Sequence, residues 1–204
     1  MSTKAMQVSN FVEYRINSLA NSNYESGVKA TLAHLRRGVG KHPAANPSLW
    51  EATFSSFPSD LQGTGSEPSY GELAVHAALT LFATHQQSLD LKTQLMHELN
   101  ISIGKALGLL AILKGSDSYD SIKKRFDRIV TADSLGELSN YLRGSIQLLR
   151  SNRIPLDYKL LAKQLYDFQF IDNRDAIRLS WGRDFYSAVS KKIDLNKGID
   201  RKDG

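Results

Sequence analysis

At 204 residues, with 41% hydrophobic and 23% charged side chains, the chain is long enough for a sizeable core and too apolar for a disordered segment. A formal net charge of +5 and a sequence pI near 9.3 lean toward anionic partners, nucleic acid above all. The absence of cysteine excludes a disulfide framework, a thiolate metal site and a cysteine nucleophile.

The apolar period is helical almost throughout. Phe11, Tyr14, Ile16 and Leu19 predict a helix near Val8–Ala20, and Val28, Leu32 and Leu35 a second from Tyr24 to Arg37. Gly38 and Gly40 stop it. Asn46-Pro47 reads as an N-cap with proline at the first helical position, ahead of Leu49, Trp50, Thr53, Phe54 and Phe57. Pro58 to Pro68 is a loop without periodicity. Ser69-Tyr70-Gly71-Glu72 fits a capping box. The helix behind it, about Tyr70 to Ser88, is apolar around most of its circumference and reads as a central core helix. A further short helix follows near Ser102–Leu113.

Lys114-Gly115-Ser116-Asp117-Ser118 is the best candidate boundary between two halves. Beyond it, Ile122, Phe126 and Ile129 mark one helix. A second capping box, Ser134-Leu135-Gly136-Glu137, opens the stripe Leu135, Leu138, Leu142, Ile146 and Leu149. Tyr158, Leu161, Leu165 and Phe168 mark another helix after Pro155, and Ile177, Trp181, Phe185 and Val189 the last. Strand alternation is not evident. The expected fold is therefore all-α: about nine helices in two successive bundles, residues 1–114 and 115–193, with a charged, disordered tail over 194–204. The polar start Met1–Asn10 has no signal core, and no stretch approaches the roughly 20 apolar residues that span a bilayer. The richest stretch, Leu73–Ala83, is too short and is interrupted by His76. The chain reads as cytoplasmic, without a membrane partner.

Tests for chemistry give little. His97-Glu98 lacks the second zincin histidine, because residue 101 is Ile101. Glu72 and His76 share a helix face at metal-ligand spacing, but a helix-start carboxylate beside a partly buried histidine is the plainer reading. His85, in an apolar helix, reads as a hydrogen-bonded structural histidine. Gly38-Val39-Gly40-Lys41 lacks the remaining glycine spacing and the Ser or Thr of a phosphate loop, since His42 follows the lysine. Neither a nucleophile elbow nor a local Ser–His–acid set is present. The expectation is a non-enzyme with no metal, cofactor or small-molecule substrate.

The cations fall in stripes. Arg143, Gln147 and Arg150 follow i, i+4, i+7 beside the apolar stripe of their helix. Lys124 and Arg128 repeat this, flanked by Lys123 and Arg125, and Lys159/Lys163 and Arg174/Arg178 form further i, i+4 pairs. Arg36, Arg37 and Lys41 cluster at the end of the second helix. Any one of these could be a solvated face with an acidic neighbour, Asp127, Asp175 and Asp184 being available. Like charges at this spacing repel by a few tenths of a kcal/mol, so their repetition points to a polyanion running along the protein. Trp50, Phe54, Phe82, Phe126, Trp181 and Phe185 fall at apolar spacing and are assigned to the core, so backbone binding without base readout is expected.

Five segments add specificity: Leu35-Arg36-Arg37-Gly38-Val39-Gly40-Lys41, Ala78 to Gln87, Ile101 to Leu107, Tyr141-Leu142-Arg143-Gly144 through Leu148-Leu149-Arg150-Ser151, and Leu179 to Tyr186. Their order and spacing resemble the small-subunit (CasB) family of the type I-E CRISPR Cascade complex. The resemblance implies a two-lobed helical protein without catalytic function. It would assemble with the other Cascade subunits and their guide RNA, beside a second copy of itself. It would hold the guide–target hybrid and the displaced single-stranded DNA of the R-loop. Mapped onto this chain, the resemblance points to Arg36, Arg37, Lys41, Lys105, Arg143 and Arg150 for backbone contact. Lys124 and Arg128 join them from the charge pattern alone. Lys105 stands where similar sequences carry arginine, and Arg183, beside Asp184, reads as part of a structural anchor. The competing readings are a free-standing helical DNA-binding regulator and a helical enzyme with a spatially assembled site.

Overall fold

The structure, a computed structural model, describes residues 3–200, with side chains described through Ser190. Nine α-helices occur among the described residues: α1 (Thr3–Ala20), α2 (Glu25–Arg36), α3 (Trp50–Phe54), α4 (Tyr70–His85), α5 (Ile103–Lys114), α6 (Ser116–Thr131), α7 (Leu135–Ser151), α8 (Tyr158–Asp167) and α9 (Ile171–Asp200). Three single-turn 3-10 segments fill the connection between α2 and α4. No strand forms among these residues, and the one bridge pairs His97 with Leu156. The all-α expectation therefore holds. The charged tail expected from residue 194 falls on the end of α9 and beyond it, where no side chain belongs to the described set.

The architecture is organised around α4. Thirteen of its 16 residues are buried, because α1, α2, α7 and α8 pack around it. A helix apolar on nearly every side has no solvent face to offer, so it takes the centre. Its threonines keep that position polar-satisfied: Thr80 Oγ1 donates to the His76 carbonyl at 2.8 Å, and Thr84 Oγ1 to the Thr80 carbonyl at 3.0 Å. Its start is the predicted capping box. Glu72 N–H donates to Ser69 Oγ at 3.0 Å, and Ser69 N–H to Glu72 Oε2 at 2.6 Å.

The Ser134 box differs from its prediction. Ser134 Oγ does accept from Glu137 N–H, at 3.1 Å, but Glu137 Oε2 accepts from Asp133 N–H at 2.9 Å instead of closing the box on Ser134. Trp50 also departs from the core assignment. It is 47% exposed, with its Nε1 donating to the Pro43 carbonyl at 3.0 Å, because α3 is only five residues long and rides on the surface.

The second organising contact is between α5 and α9. Gly104 and Gly108, one turn apart, line the face of α5 against which the α9 backbone lies at Trp181 and Phe185. A Cβ on Gly104 would overlap the Trp181 carbonyl oxygen, and one on Gly108 would lie 2.7 Å from that of Phe185. Ser102, the N-cap of α5, ties the pair by donating its Oγ to Asp184 Oδ2 at 2.5 Å. Trp181, fully buried, donates Nε1 to Gln164 Oε1 at 2.9 Å and so fastens α9 to α8. The Lys114–Ser116 junction is a helix break at Gly115, whose φ of +79° favours glycine. Buried residues on the two sides of it belong to one contiguous cluster, with α4 meeting α7 and α8, and α5 meeting α6 and α9.

Candidate nucleic-acid interface

The cations divide by what holds them. On the α1–α8–α9 side they are engaged. Lys159 Nζ pairs with Glu13 Oε2 at 2.7 Å, and Lys163 Nζ with Asp167 Oδ2 at 2.7 Å. Arg174 Nε donates to the Phe168 carbonyl at 3.0 Å, with its guanidinium carbon 5.0 Å from the Phe168 ring centre. Arg178 Nη2 donates to the Ala132 carbonyl at 2.8 Å and stands 3.4 Å from Asp133, while its Nη1 lies 3.4 Å from Asp175. These two i, i+4 pairs of the sequence pattern are thus neutralised or used as caps. Lys123, paired with Asp127 at 2.8 Å, joins them.

The α2–α7 side differs. Arg37, Lys41 and Arg143 are exposed, Arg36 and Arg150 are half-buried, and none of the five has a carboxylate within 4.0 Å among the described residues. One contact and one charge interaction relate their elements. Gly40, at φ +72°, ends the α2 turn so close to Asn140 of α7 that any Cβ there would overlap its amide oxygen. Ten residues along α7, Arg150 acts electrostatically on Arg36: burial first, then the charges of Arg150 and Arg37, push the Arg36 guanidinium below its usual pKa. Asn140 and Arg150 are about 15 Å apart along α7, at 1.5 Å per residue. Arg143 lies between them on the same flank, at i+3 from Asn140 and i−7 from Arg150. One basic strip therefore runs from the glycine turn to the end of α7.

Lys124 and Arg128 lie elsewhere. Both are exposed on α6, which packs against α7, where Arg128 acts on Tyr141 and Arg125 Nη1 comes within 3.6 Å of the Cβ position of Gly144. Lys105 stands apart again at the start of α5, donating Nζ to the Asn100 carbonyl at 3.0 Å. The eight predicted residues are thus a cluster of five, a second patch on α6 and a single lysine.

His76 and His85 are structural. His76 Nε2 bonds the Gly38 carbonyl at 3.1 Å and fixes the glycine turn to α4; burial dominates and lowers its pKa against the opposing pull of the Gly38 and Lys41 carbonyls. His85 Nδ1 lies 3.1 Å from the Tyr158 hydroxyl, and its pKa is lowered to about 3, first by burial and further by the charge of Arg150. Both rings are neutral at pH 7, so neither adds charge to the strip. Glu72 is spent on its cap, which removes it from any pairing with His76. No group of three or more His, Cys, Asp or Glu suited to a metal occurs among the described residues. One residue of the site escaped the charge pattern. Gln87, just past α4, accepts from Arg150 Nη1 at 2.6 Å. Its signal was its place at the end of the Ala78–Gln87 segment.

The chain matches the family of CRISPR-associated protein Cse2 over residues 31–186. It belongs to that family. The CasB resemblance drawn from the five segments and the Cse2 match identify the same small subunit of type I-E Cascade. The crystal structure of CasB from Thermobifida fusca is similar at 34% identity, with a TM-score of 0.72 over 88% of this chain and 97% of that one. A chain of a CRISPR RNA-guided surveillance complex shares the fold at 18% identity, with a TM-score of 0.70 over 94% of this chain and 99% of that one. M. ruber CasB does so at 23% identity, with a TM-score of 0.66 over 90% and 97%. Among curated proteins, none matches the chain. No helix of the described part of this Cse2 family member is long and apolar enough to cross a membrane.

Proposed function

We propose that the protein is a non-catalytic subunit of a cytoplasmic type I-E Cascade complex that binds nucleic-acid backbone and stabilises the R-loop. The observation that carries this reading is the strip Arg36, Arg37, Lys41, Arg143 and Arg150, whose charge no described carboxylate offsets. Exchange of a DNA duplex for an RNA–DNA hybrid is nearly balanced in free energy. A surface that holds the displaced strand by its phosphates tips that exchange without reading a base. The second patch, Lys124 and Arg128, and the single Lys105 serve the guide–target hybrid in this scheme. The other Cascade subunits, the guide RNA and a second copy of the chain are its partners.

The test is binding of the purified chain to a labelled mixed-sequence single strand across a salt series. The comparison is a variant with Arg36, Arg37, Arg143 and Arg150 changed to alanine. Four lost phosphate contacts should flatten the log–log salt slope by about 2.8, at ~0.7 per contact for single strands. An unchanged slope, or no binding by the wild type, overturns the proposal. Binding that survives excess mixed-sequence competitor would favour the free-standing regulator instead.

A further inference from the structure

The Ala78–Gln87 segment ends in His85-Gln86-Gln87, and its last residue is unexplained by packing alone. Gln86 is buried and fixes the chain beyond α4: its Nε2 donates to the Leu89 and Gln94 carbonyls at 3.1 and 3.0 Å, and its Oε1 accepts from Met96 N–H at 2.9 Å. Gln87 therefore rises from an anchored backbone. Its side chain reaches α7, 63 residues away in sequence, and takes a short 2.6 Å hydrogen bond from Arg150 Nη1.

The chemistry of that bond sets Arg150 apart. Every other hydrogen-bonded or ion-paired lysine or arginine side chain among the described residues rests on a carboxylate or a backbone carbonyl. Arg150 alone is held by a neutral side-chain amide. An amide oxygen orders a guanidinium without cancelling its charge. The bond engages Nη1, which leaves the Nε–Nη2 edge, the fork that takes a phosphate through two parallel hydrogen bonds. The charges of Arg150 and Arg36 act on one another, as expected where no carboxylate intervenes. A guanidinium ordered without a counter-charge is a site whose missing partner is an anion.

We propose that Gln87 is a positioning residue for strand binding: it fixes Arg150, oriented and uncompensated, so that its guanidinium is preset for one backbone phosphate at the α2–α7 strip. This rests on the nucleic-acid reading above and adds a residue and a geometry to it. Glutamine suits the role and glutamate does not. A carboxylate at 87 would keep the contact but neutralise the charge the phosphate needs.

The experiment measures single-strand affinity and salt slope for the full chain with Gln87→Ala, Gln87→Glu, Arg150→Ala and the Gln87→Ala/Arg150→Ala double variant, each checked by thermal melting. Gln87→Ala should weaken binding by roughly three- to tenfold in the wild-type background and leave the Arg150→Ala background unchanged, the mark of a coupled pair. Gln87→Glu should lose as much affinity as Arg150→Ala, with the slope shallower by about 0.7, although it melts like the wild type. The Arg150 guanidinium NMR signal of the free protein should show hindered rotation that Gln87→Ala releases. A Gln87→Glu variant that binds like the wild type overturns the proposal, as do equal Gln87→Ala losses in both backgrounds; either would leave the strand-binding function standing. A wild-type chain that binds no strand overturns both.

Discussion

Two flanks of one molecule use the same residue types in opposite ways. On the α1–α8–α9 side, Lys159, Lys163, Arg174 and Arg178 are held by Glu13, Asp167, the Phe168 ring and carbonyl, Ala132, Asp133 and Asp175. There the charge is spent on the fold. On the α2–α7 side, Arg36, Arg37, Lys41 and Arg143 make no ion pair among the described residues and Arg150 rests on a neutral amide, so the charge stays available to a partner. Both flanks show cations at i, i+4 or i, i+7. A basic stripe in a sequence therefore does not reveal an interface until the acids of neighbouring elements are placed against it.

The comparison is sharpened most strongly at the joint of the spent side. Trp181→Ala should destabilise the chain by about 3–5 kcal/mol, since it empties a fully buried site and leaves Gln164 Oε1 without its donor. Chemical denaturation checks this, and a loss under 1 kcal/mol would show that α9 is not fastened there.

Acid probes the floor of the other side. His85 has a folded pKa of about 3 against 6.5 unfolded, so the unfolded chain takes up the proton first. Its contribution is complete above pH 6.5 and falls as pH drops toward 3, at up to about 1.4 kcal/mol per pH unit. His76, also lowered, acts in the same direction. Melting temperature against pH should therefore decline below 6.5, and more shallowly in a His85→Gln variant; parallel curves would contradict the burial argument.

The smallest effects compare the flanks most directly. Arg178→Ala should cost roughly 1.5–3 kcal/mol for the lost charged hydrogen bond to Ala132, with no change in strand affinity. Arg143→Ala should stay within about 0.5 kcal/mol of wild type, as an exposed and unpaired position does, while it weakens strand binding. Reversal of the two outcomes would exchange the roles of the flanks.

The helices were legible because their signals are local. The helical period of apolar residues, the Ser69–Glu72 box and the stop at Gly38 and Gly40 depend on neighbours within a few positions. The centrality of α4 was legible for the same reason, as a helix without a polar face. Trp50 was misplaced because apolar spacing alone cannot distinguish a core helix from one turn of surface helix fastened by an indole bond. The family, too, lay in the sequence, in the order of five short segments.

Sequence by itself thus determined the all-α class, the succession of helices, the excess of positive charge and its periodic placement. Only the tertiary structure decided which charges were free. Lys159 finds its acid 146 positions away, Arg178 its carbonyl 46 away, and Arg150 its amide 63 away. No local pattern reports such separations. Helix packing chooses whether a cation meets a carboxylate, a carbonyl or an amide, and that choice determines whether its charge is absorbed by the fold or left for a phosphate.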